Sequence, residues 1–310
     1  MCSPSATLVA SSSAGEFVAA LLSEGLLIET GVPGVFGKNA AFEAVVRGID
    51  ALVEAAAEDM RPQLVRFPPV VPRSLIERSG YLAGFPQLIG AVHSFAGGDA
   101  DHAALLNAVE QGGRWGEFLS ATDVVLTPAA CYPVYGMASG VLPPEGRVVD
   151  AASYCFRHEP SSEPGRMQIF RMHEIVRLGS PESCVAFRDE WLSRGESVLR
   201  EIGLDVQCVP ANDPFFGRRG RLLAATQREQ ALKFELVVPI TSSERPTAVA
   251  SANWHQDHFG ELFEIRDATG ATAHTACVGF GLERITLALL RAHGTAPERW
   301  PRAVRSALQL

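Results

Sequence analysis

Lysine is nearly missing from this sequence: its 310 residues contain only Lys38 and Lys233, and arginine supplies the rest of the 27 basic side chains. Net positive charge is missing too. Asp and Glu outnumber Lys and Arg by 35 to 27, a balance of −8. That argues against a general nucleic-acid binder, because a phosphate backbone rewards a basic face, although a local basic patch stays compatible. Membrane-spanning runs are also missing. The charge-free stretch Tyr81 to Gly98 is broken by Pro86, Gln87 and His93, which makes a poor span. Met1 to Leu22 has no basic start before its apolar part, so no secretory signal is visible and a cytoplasmic location is expected. Six cysteines occur without any Cys-x-x-Cys spacing. In a reducing compartment they read as free thiols, and functional ones as metal ligands or nucleophiles. Neither an internal repeat nor a low-complexity linker divides the chain. With 47% apolar and 20% charged residues, the composition is globular and long enough for a sizeable core.

What is present reads as alternating helices and strands without regular βαβ order. Residues 1–38 are poor in periodicity, with Gly31 to Gly37 as loop. Apolar residues at helical spacing (Phe42, Val45, Val46, Ile49, Leu52, Val53) predict a helix over Asn39 to Met60. Leu64 to Phe67 reads as a short strand stopped by prolines, Glu77 to Gly90 as irregular, and Val124 to Tyr135 as a strand and turn. Arg147 to Arg157 and Met167 to Leu178 predict an antiparallel pair around a polar loop. Ser180 caps a helix with Pro181 at its first position, running to about Ile202. Arg219 to Gln230 reads as a basic helix. Strands are expected at Leu232 to Ile240 and Thr247 to Ala252, then a hairpin-like stretch to about Ile265, and a final long helix over Leu282 to His293. The fold class implied is α+β.

Three segments carry chemistry. One is Phe156-Arg157-His158-Glu159 with the return strand Arg166-Met167-Gln168-Ile169-Phe170-Arg171-Met172-His173-Glu174. The second is Ala276-Cys277-Val278-Gly279-Phe280-Gly281-Leu282-Glu283-Arg284, and the third is the helix–strand–proline run ending at Phe67-Pro68-Pro69. An Arg-x-Glu at a strand end can set a guanidinium on an α-phosphate and a carboxylate near an adenine amino group. Phe170 can stack on adenine with Arg284 on the opposite face. Gly279-Phe280-Gly281 is not a dinucleotide fingerprint, since the third glycine and the βαβ setting are missing. Taken together, in this order, the segments resemble motifs 1, 2 and 3 of the class II aminoacyl-tRNA synthetase core, over roughly residues 40 to 295 with 1–38 as an N-terminal extension. Cys131, Glu174 and Cys277 are similar to the metal ligands of the atypical, zinc-dependent seryl-tRNA synthetases. A chain with no room for tRNA-binding domains resembles the amino acid:carrier-protein ligases. The segments Asp213-Pro214-Phe215-Phe216-Gly217 and Ser251 to Gly260 look like that family too.

The resemblance implies a single catalytic domain that uses ATP and Mg²⁺ to activate a small amino acid, glycine or alanine, as its adenylate. The aminoacyl group then passes to the phosphopantetheine thiol of an acidic carrier protein. It implies Arg157 and Arg284 as catalytic, with Glu159, Arg166, Met167, Phe170, Lys233 and Ser251 also on ATP. Glu174, Lys233 and Asn253 fall on the amino acid, and Cys131, Glu174 and Cys277 on Zn²⁺. A homodimer through Asn39 to Met60 and Pro68-Pro69 is implied, with no tRNA and no membrane as partners. Two thiolates and a carboxylate leave one tetrahedral zinc position for the substrate amine. In a strand Phe170 and Glu174 share a face about 13 Å apart, near the span of an aminoacyl adenylate. Arg218, Arg219, Arg221 and Arg228 offer a positive patch for the carrier, or simply a solvated helix face. Lys233 and Glu235 share a strand face, as an ion pair or as a phosphate contact. The carboxylate expected near Val249 to hold Mg²⁺ is absent. His255-Gln256-Asp257-His258 is a rival metal set, but alternation sends His255 and Asp257 to one side and His258 to the other, so the segment reads as substrate-pocket wall or hydrogen-bonding scaffold. His158 and His173 are expected to face away as packing. Two other functions fit these residues: a truncated synthetase acting on tRNA, and a non-catalytic amino-acid-binding regulator.

Overall fold

The computed structural model describes residues 13–217, 225, 227, 228 and 230–310. From Ser13 onward, the stretch with weak periodicity carries regular elements. Ser13 and Glu16 form a capping box that starts α1 (Ala14–Ser23), and β1 (Leu27–Glu29) pairs antiparallel with β2 (Phe36–Lys38). Short elements with few apolar positions give little periodic signal, which is why only a loop was expected here. Asn39 accepts the Phe42 N–H and opens α2 (Ala40–Ala57), whose buried face is Phe42, Val45, Val46, Ile49 and Val53. This is the expected helix.

Beyond it come β3 (Gln63–Arg66), β4 (Val70–Pro72), α3 (Arg73–Arg78), α4 (Tyr81–Gly84), β5 (Ala91–Phe95), α5 (Asp99–Glu110) and β6 (Leu119–Leu126). Strands β4, β6 and β5 form a small separate sheet. The segment expected to be irregular therefore carries two short helices, and the turn expected near Tyr135 is α6 (Tyr132–Met137). β7 (Gly140–Val141) leads to β8 (Arg147–Phe156) and β9 (Ile169–Gly179), the expected antiparallel pair. Ser180 caps α7 (Pro181–Glu201), which buries Cys184, Phe187, Trp191, Val198 and Leu199 along one stripe. The chain continues through β10 (Gln207–Pro210), β11 (Lys233–Val238), β12 (Thr247–Gln256), α8 (His258–Leu262), β13 (Ile265–Arg266), β14 (His274–Gly281), α9 (Leu282–His293) and α10 (Arg302–Ala307). Where a hairpin was expected after β12, the chain turns at Gln256 with φ of 56° and enters α8. Asp257 is thus not on a strand, and the alternation argument does not reach it.

Seven strands make the central sheet in the order β10-β11-β12-β14-β9-β8-β3, antiparallel except for β3 beside β8. Helices α2, α7 and α9 cover one face, so the fold is α+β. Trp191 of α7 meets Phe280 edge-on at 6.1 Å, and Gly195 lets the two layers approach. Among the described residues no helix is long and apolar enough to cross a membrane.

The helical face is also pinned by charge. Arg171 of β9 grips Glu43 of α2 at 2.7 and 2.8 Å and Glu283 of α9 at 2.9 Å, and Lys38 reaches Glu283 at 3.3 Å. His173 is fully buried and is more than packing. Its Nδ1 is 2.8 Å from Asp50, and its Nε2 lies 3.1 Å from Asp150, itself paired with Arg66 at 2.7 Å. Burial alone would lower the imidazole, but Asp150 and Asp50 push it up to about 9.

Two expectations follow. Because the folded His173 titrates above the unfolded value, its stabilisation is complete below about pH 6.5 and fades as pH rises through 9. Urea unfolding should show a loss on the order of 3 kcal/mol between those limits that His173→Gln lacks. In α2, a Cβ on Gly48 would collide with the Leu308 carbonyl, whereas one on Gly15 of α1 meets nothing within 4 Å. Gly48→Ala should cost about 1–3 kcal/mol in the same assay, and Gly15→Ala should be neutral or stabilising by up to about 1 kcal/mol.

Candidate active site

The face of the sheet away from the helices floors a cavity of about 1670 Å³. Register decides which side chains enter it. Lys233, Asn253 and Cys277 stand opposite one another across β11, β12 and β14, and the next row is Glu235, Ser251, Gly279 and Glu174. Strand alternation adds Phe170 and Met172 from β9.

At one end the guanidinium carbons of Arg157 and Arg284 lie 5.5 and 5.8 Å from the Phe170 ring centroid. Arg157 Nε donates to the Pro128 carbonyl at 3.3 Å, while Arg284 donates to Gly165 O at 2.8 Å and Ala248 O at 3.0 Å. Carbonyls thus orient both forks without neutralising them. Burial, and next the like charge of Arg157, push Arg284 down to about 10. Two cations over one buried aromatic ring suit an anion with a planar base attached. Glu159 stands 4.0 Å from Arg166, which also faces Glu163 at 3.4 Å; the adjacent Met167 is buried. Thr241 donates to Glu163 at 2.8 Å, tying the β8–β9 loop to the β11–β12 connection.

At the other end Cys131, Glu174 and Cys277 converge, with ligand atoms all within 4.8 Å of one another and every side chain buried. Burial, and then the neighbouring Cys277 sulfur, push Glu174 up to about 8. Cys277 is drawn well below the ordinary thiol range by a hydrogen bond from Cys131, which is itself pushed above it. Glu174 Oε2 is buried with no hydrogen-bond partner. An orphaned carboxylate oxygen beside two sulfurs is the donor set of a borderline-soft divalent cation, and zinc fits it.

Lys233 is buried and its ammonium is occupied, 2.6 Å from Asp213 and 3.1 Å from Glu235. Burial would raise the Asp213 carboxyl, but the Lys233 charge and hydrogen bonds from Gln227 and Lys233 hold it below its usual value. A lysine in an apolar strand demands such partners; Glu235 was legible by alternation, Asp213 was not. The Asp213 segment also closes on α4, with Phe215 stacked on Phe85 at 4.9 Å and Phe216 N–H donating to Gly84 O at 2.8 Å. Ser251 and Asn253 line the cavity, as do His255 and His258. Trp254 Nε1 donates to His274 at 3.2 Å. Val249 is buried, so no carboxylate stands there. Of the basic patch, Arg218, Arg219 and Arg221 lie outside the described residues, and Arg228 donates to Asn212 Oδ1.

Gly279 has a steric role that sequence did not reveal: a Cβ there would sit 2.9 Å from Glu174 Oε1 and 3.2 Å from its Cγ. Gly279→Ala should leave the fold intact yet displace Glu174. With the three side chains as its ligands, zinc added to the protein and followed through dialysis by mass spectrometry should be held roughly tenfold more weakly than by the unaltered chain.

No protein-family profile matches the chain. Individual proteins do. It is 46% identical over 291 residues to amino acid–acyl-carrier-protein ligase 2 of Bradyrhizobium diazoefficiens, covering 93% of this chain and 87% of that protein. Ligase 1 of the same organism is 43% identical, with 93% and 89% covered. A type-2 serine–tRNA ligase of Methanopyrus kandleri is 28% identical over 82% of this chain and 52% of its own length. In structure, the M. kandleri seryl-tRNA synthetase in complex with Aquifex aeolicus tRNASec superposes with a TM-score of 0.80 at 24% identity, over 94% of this chain and 60% of that one. The Pyrococcus horikoshii enzyme complexed with ATP gives 0.69 at 17%, over 96% and 63%. The structural likeness establishes the class II synthetase fold. The long, near-complete match to the two Bradyrhizobium enzymes goes further, and on it the chain belongs to the amino acid–acyl-carrier-protein ligases.

Proposed function

We propose that this ligase activates a small amino acid, glycine or alanine, with ATP and passes it to the phosphopantetheine thiol of an acidic carrier protein. One observation carries the reading: a single cavity holds the Arg157–Phe170–Arg284 cluster and the Cys131–Glu174–Cys277 cluster on the same sheet face. Adenine lies on Phe170 under Arg284, with the Glu159 carboxylate and the Met167 backbone at its edge and Arg166 on the outgoing phosphates. Ser251 meets the ribose, and Arg157 takes the α-phosphate. Mg²⁺ accompanies ATP.

Cys131, Glu174 and Cys277 would hold zinc, which supplies a Lewis-acid anchor for the neutral amine of the substrate. Asn253 and Lys233 stand on the adjoining strands, beside the amino acid. Two of the three Lys233 N–H donors face Asp213 and Glu235, which fixes the Asp213 segment across the cavity and leaves the third, with its positive charge, for the substrate. The substrate carboxylate oxygen attacks the α-phosphorus in line, the bond to the bridging oxygen breaks, and pyrophosphate leaves. Arg157 and Arg284 stabilise the charge that develops on phosphate oxygens. The carrier thiol then attacks the mixed-anhydride carbon, AMP departs, and the thiol proton passes to solvent. Positioning and charge suffice, so no protein nucleophile is required. The stacked Tyr135 and Phe259 rings, 3.9 Å apart near the cluster, favour a small side chain.

A second copy would pair at the edge strand β3, where Leu64 is 56% exposed, next to α2 and the Pro68-Pro69 turn. The net charge of −8 favours a protein acceptor over tRNA, and a cytoplasmic setting suits the free thiols.

Pyrophosphate exchange tests the first half-reaction. Arg157→Ala should lower it by about two to three orders of magnitude with an unchanged melting temperature, and glycine or alanine should be the best substrate of the twenty. Thioester formation on holo-carrier protein, resolved by intact mass, tests the second. Full exchange in Arg157→Ala, or charging of bulk tRNA in place of the carrier, would overturn this reading.

A further inference from the structure

Beside the two thiols, β12 presents His255 to Cys277. Its Nε2 lies 3.7 Å from Cys277 Sγ, and its Nδ1 lies 3.1 Å from Thr275 Oγ1. Thr275 is fully buried and stands two residues before Cys277 on β14, so hydroxyl and sulfur share a face and bracket the ring. Tyr135 and Phe259 meet the imidazole edge-on at 5.9 and 5.0 Å.

The aim of the ring comes from a break in the ladder. Asn253 pairs with Cys277 and Trp254 with Ala276, but Gln256 pairs with Thr275, which leaves His255 as the extra residue of a bulge. Bulges re-aim side chains, and this one turns an imidazole onto a sulfur. His255 is not a member of the converging group, which is Cys131, Glu174 and Cys277. It stands outside the ligands. A sulfur that binds a metal is a thiolate and only accepts hydrogen bonds. The facing Nε2 must therefore carry the proton, with Nδ1 accepting from the Thr275 hydroxyl. Asn253 Nδ2 donates to the same sulfur at 3.6 Å.

We propose that His255 is a positioning residue of the metal site: its Nε2–H, held by Thr275, orients the Cys277 thiolate and withdraws charge from it. The inference rests on the zinc reading of the three ligands. Partners of this kind govern metal retention as well as orientation.

The test uses the full chain, with zinc affinity from competition against a chromophoric chelator and the absorption spectrum of cobalt-loaded protein. His255→Phe keeps the aromatic contacts and removes the donor. Its zinc Kd should rise about tenfold to a hundredfold, and its thiolate-to-cobalt charge-transfer band should move to longer wavelength. His255→Gln, whose amide nitrogen reaches a similar place, should restore much of both. Thr275→Val should shift both in the direction of His255→Phe. Melting curves of the metal-free proteins separate these effects from loss of fold, and if the Phe variant does not fold, the Gln and Thr275 variants carry the comparison. Unaltered affinity and spectrum in His255→Phe, or no rescue by Gln, overturns the inference with the zinc site still standing. Failure of the unaltered chain to bind zinc or cobalt overturns the zinc reading itself.

Discussion

Alternation along one strand sets the terms for the whole molecule. β9 sends Arg171 and His173 to the helical side, where they meet Glu43, Glu283, Asp50 and Asp150. Its other residues, Phe170, Met172 and Glu174, face the cavity. A slip of one residue would exchange the two sets, burying cations against cations in the cavity and a further carboxylate among Glu43, Glu283, Asp50 and Asp150. The ion pairs on one side therefore specify the register that the chemistry on the other side needs. Through Arg171 the same strand also binds α2 and α9, so three segments far apart in sequence meet on one guanidinium.

Much of this was readable from residue order. The long helices α2, α7 and α9 carry periodic apolar faces and caps, and β8 and β9 carry long alternating runs; each needs little beyond local pattern to be found. The short elements were not readable. Helix α1, the β1–β2 hairpin, and the β5 and α5 segment bury few side chains each, so propensity says little, and their shape depends on what they lean against. The misread hairpin after β12 has a similar cause: Gln256 takes a left-handed conformation that no glycine or asparagine announces.

The site divides along the same line. Phe170, Glu174 and Cys277 sit on β9 and β14, where strand arithmetic places them together; Arg157 directly follows β8 and Arg284 lies in the first turn of α9, so each arginine stands at the end of a strand beside β9. Cys131 lies just before the short α6 and required the family resemblance to be associated with the other two ligands. The partners of Asp213 and His255 escaped strand arithmetic: Asp213 lies on a loop twenty residues before Lys233, and a bulge at His255 breaks the alternation used to place it. Sequence pattern carries information about repeating geometry, and these residues act where the repeat fails.

The cavity itself is asymmetric in kind. One end offers two unneutralised guanidinium groups and an aromatic face, a hard anion receptor; the other offers sulfur and a carboxylate, a softer cation receptor. A molecule that meets both ends needs an anionic group at one and, where a metal occupies the other, a neutral donor such as an amine.

Both lysines are spent internally, Lys38 on Glu283 and Lys233 on Asp213 and Glu235. Cationic side chains on the folded surface are then all arginines, apart from any charged histidine. Acetyltransferases, ubiquitin-type conjugation and amine-coupling reagents find no accessible ε-amine there, so the positive charge this enzyme shows at its surface is beyond the reach of lysine modification. That charge comes as flat, forked groups suited to clasping carboxylates two oxygens at a time.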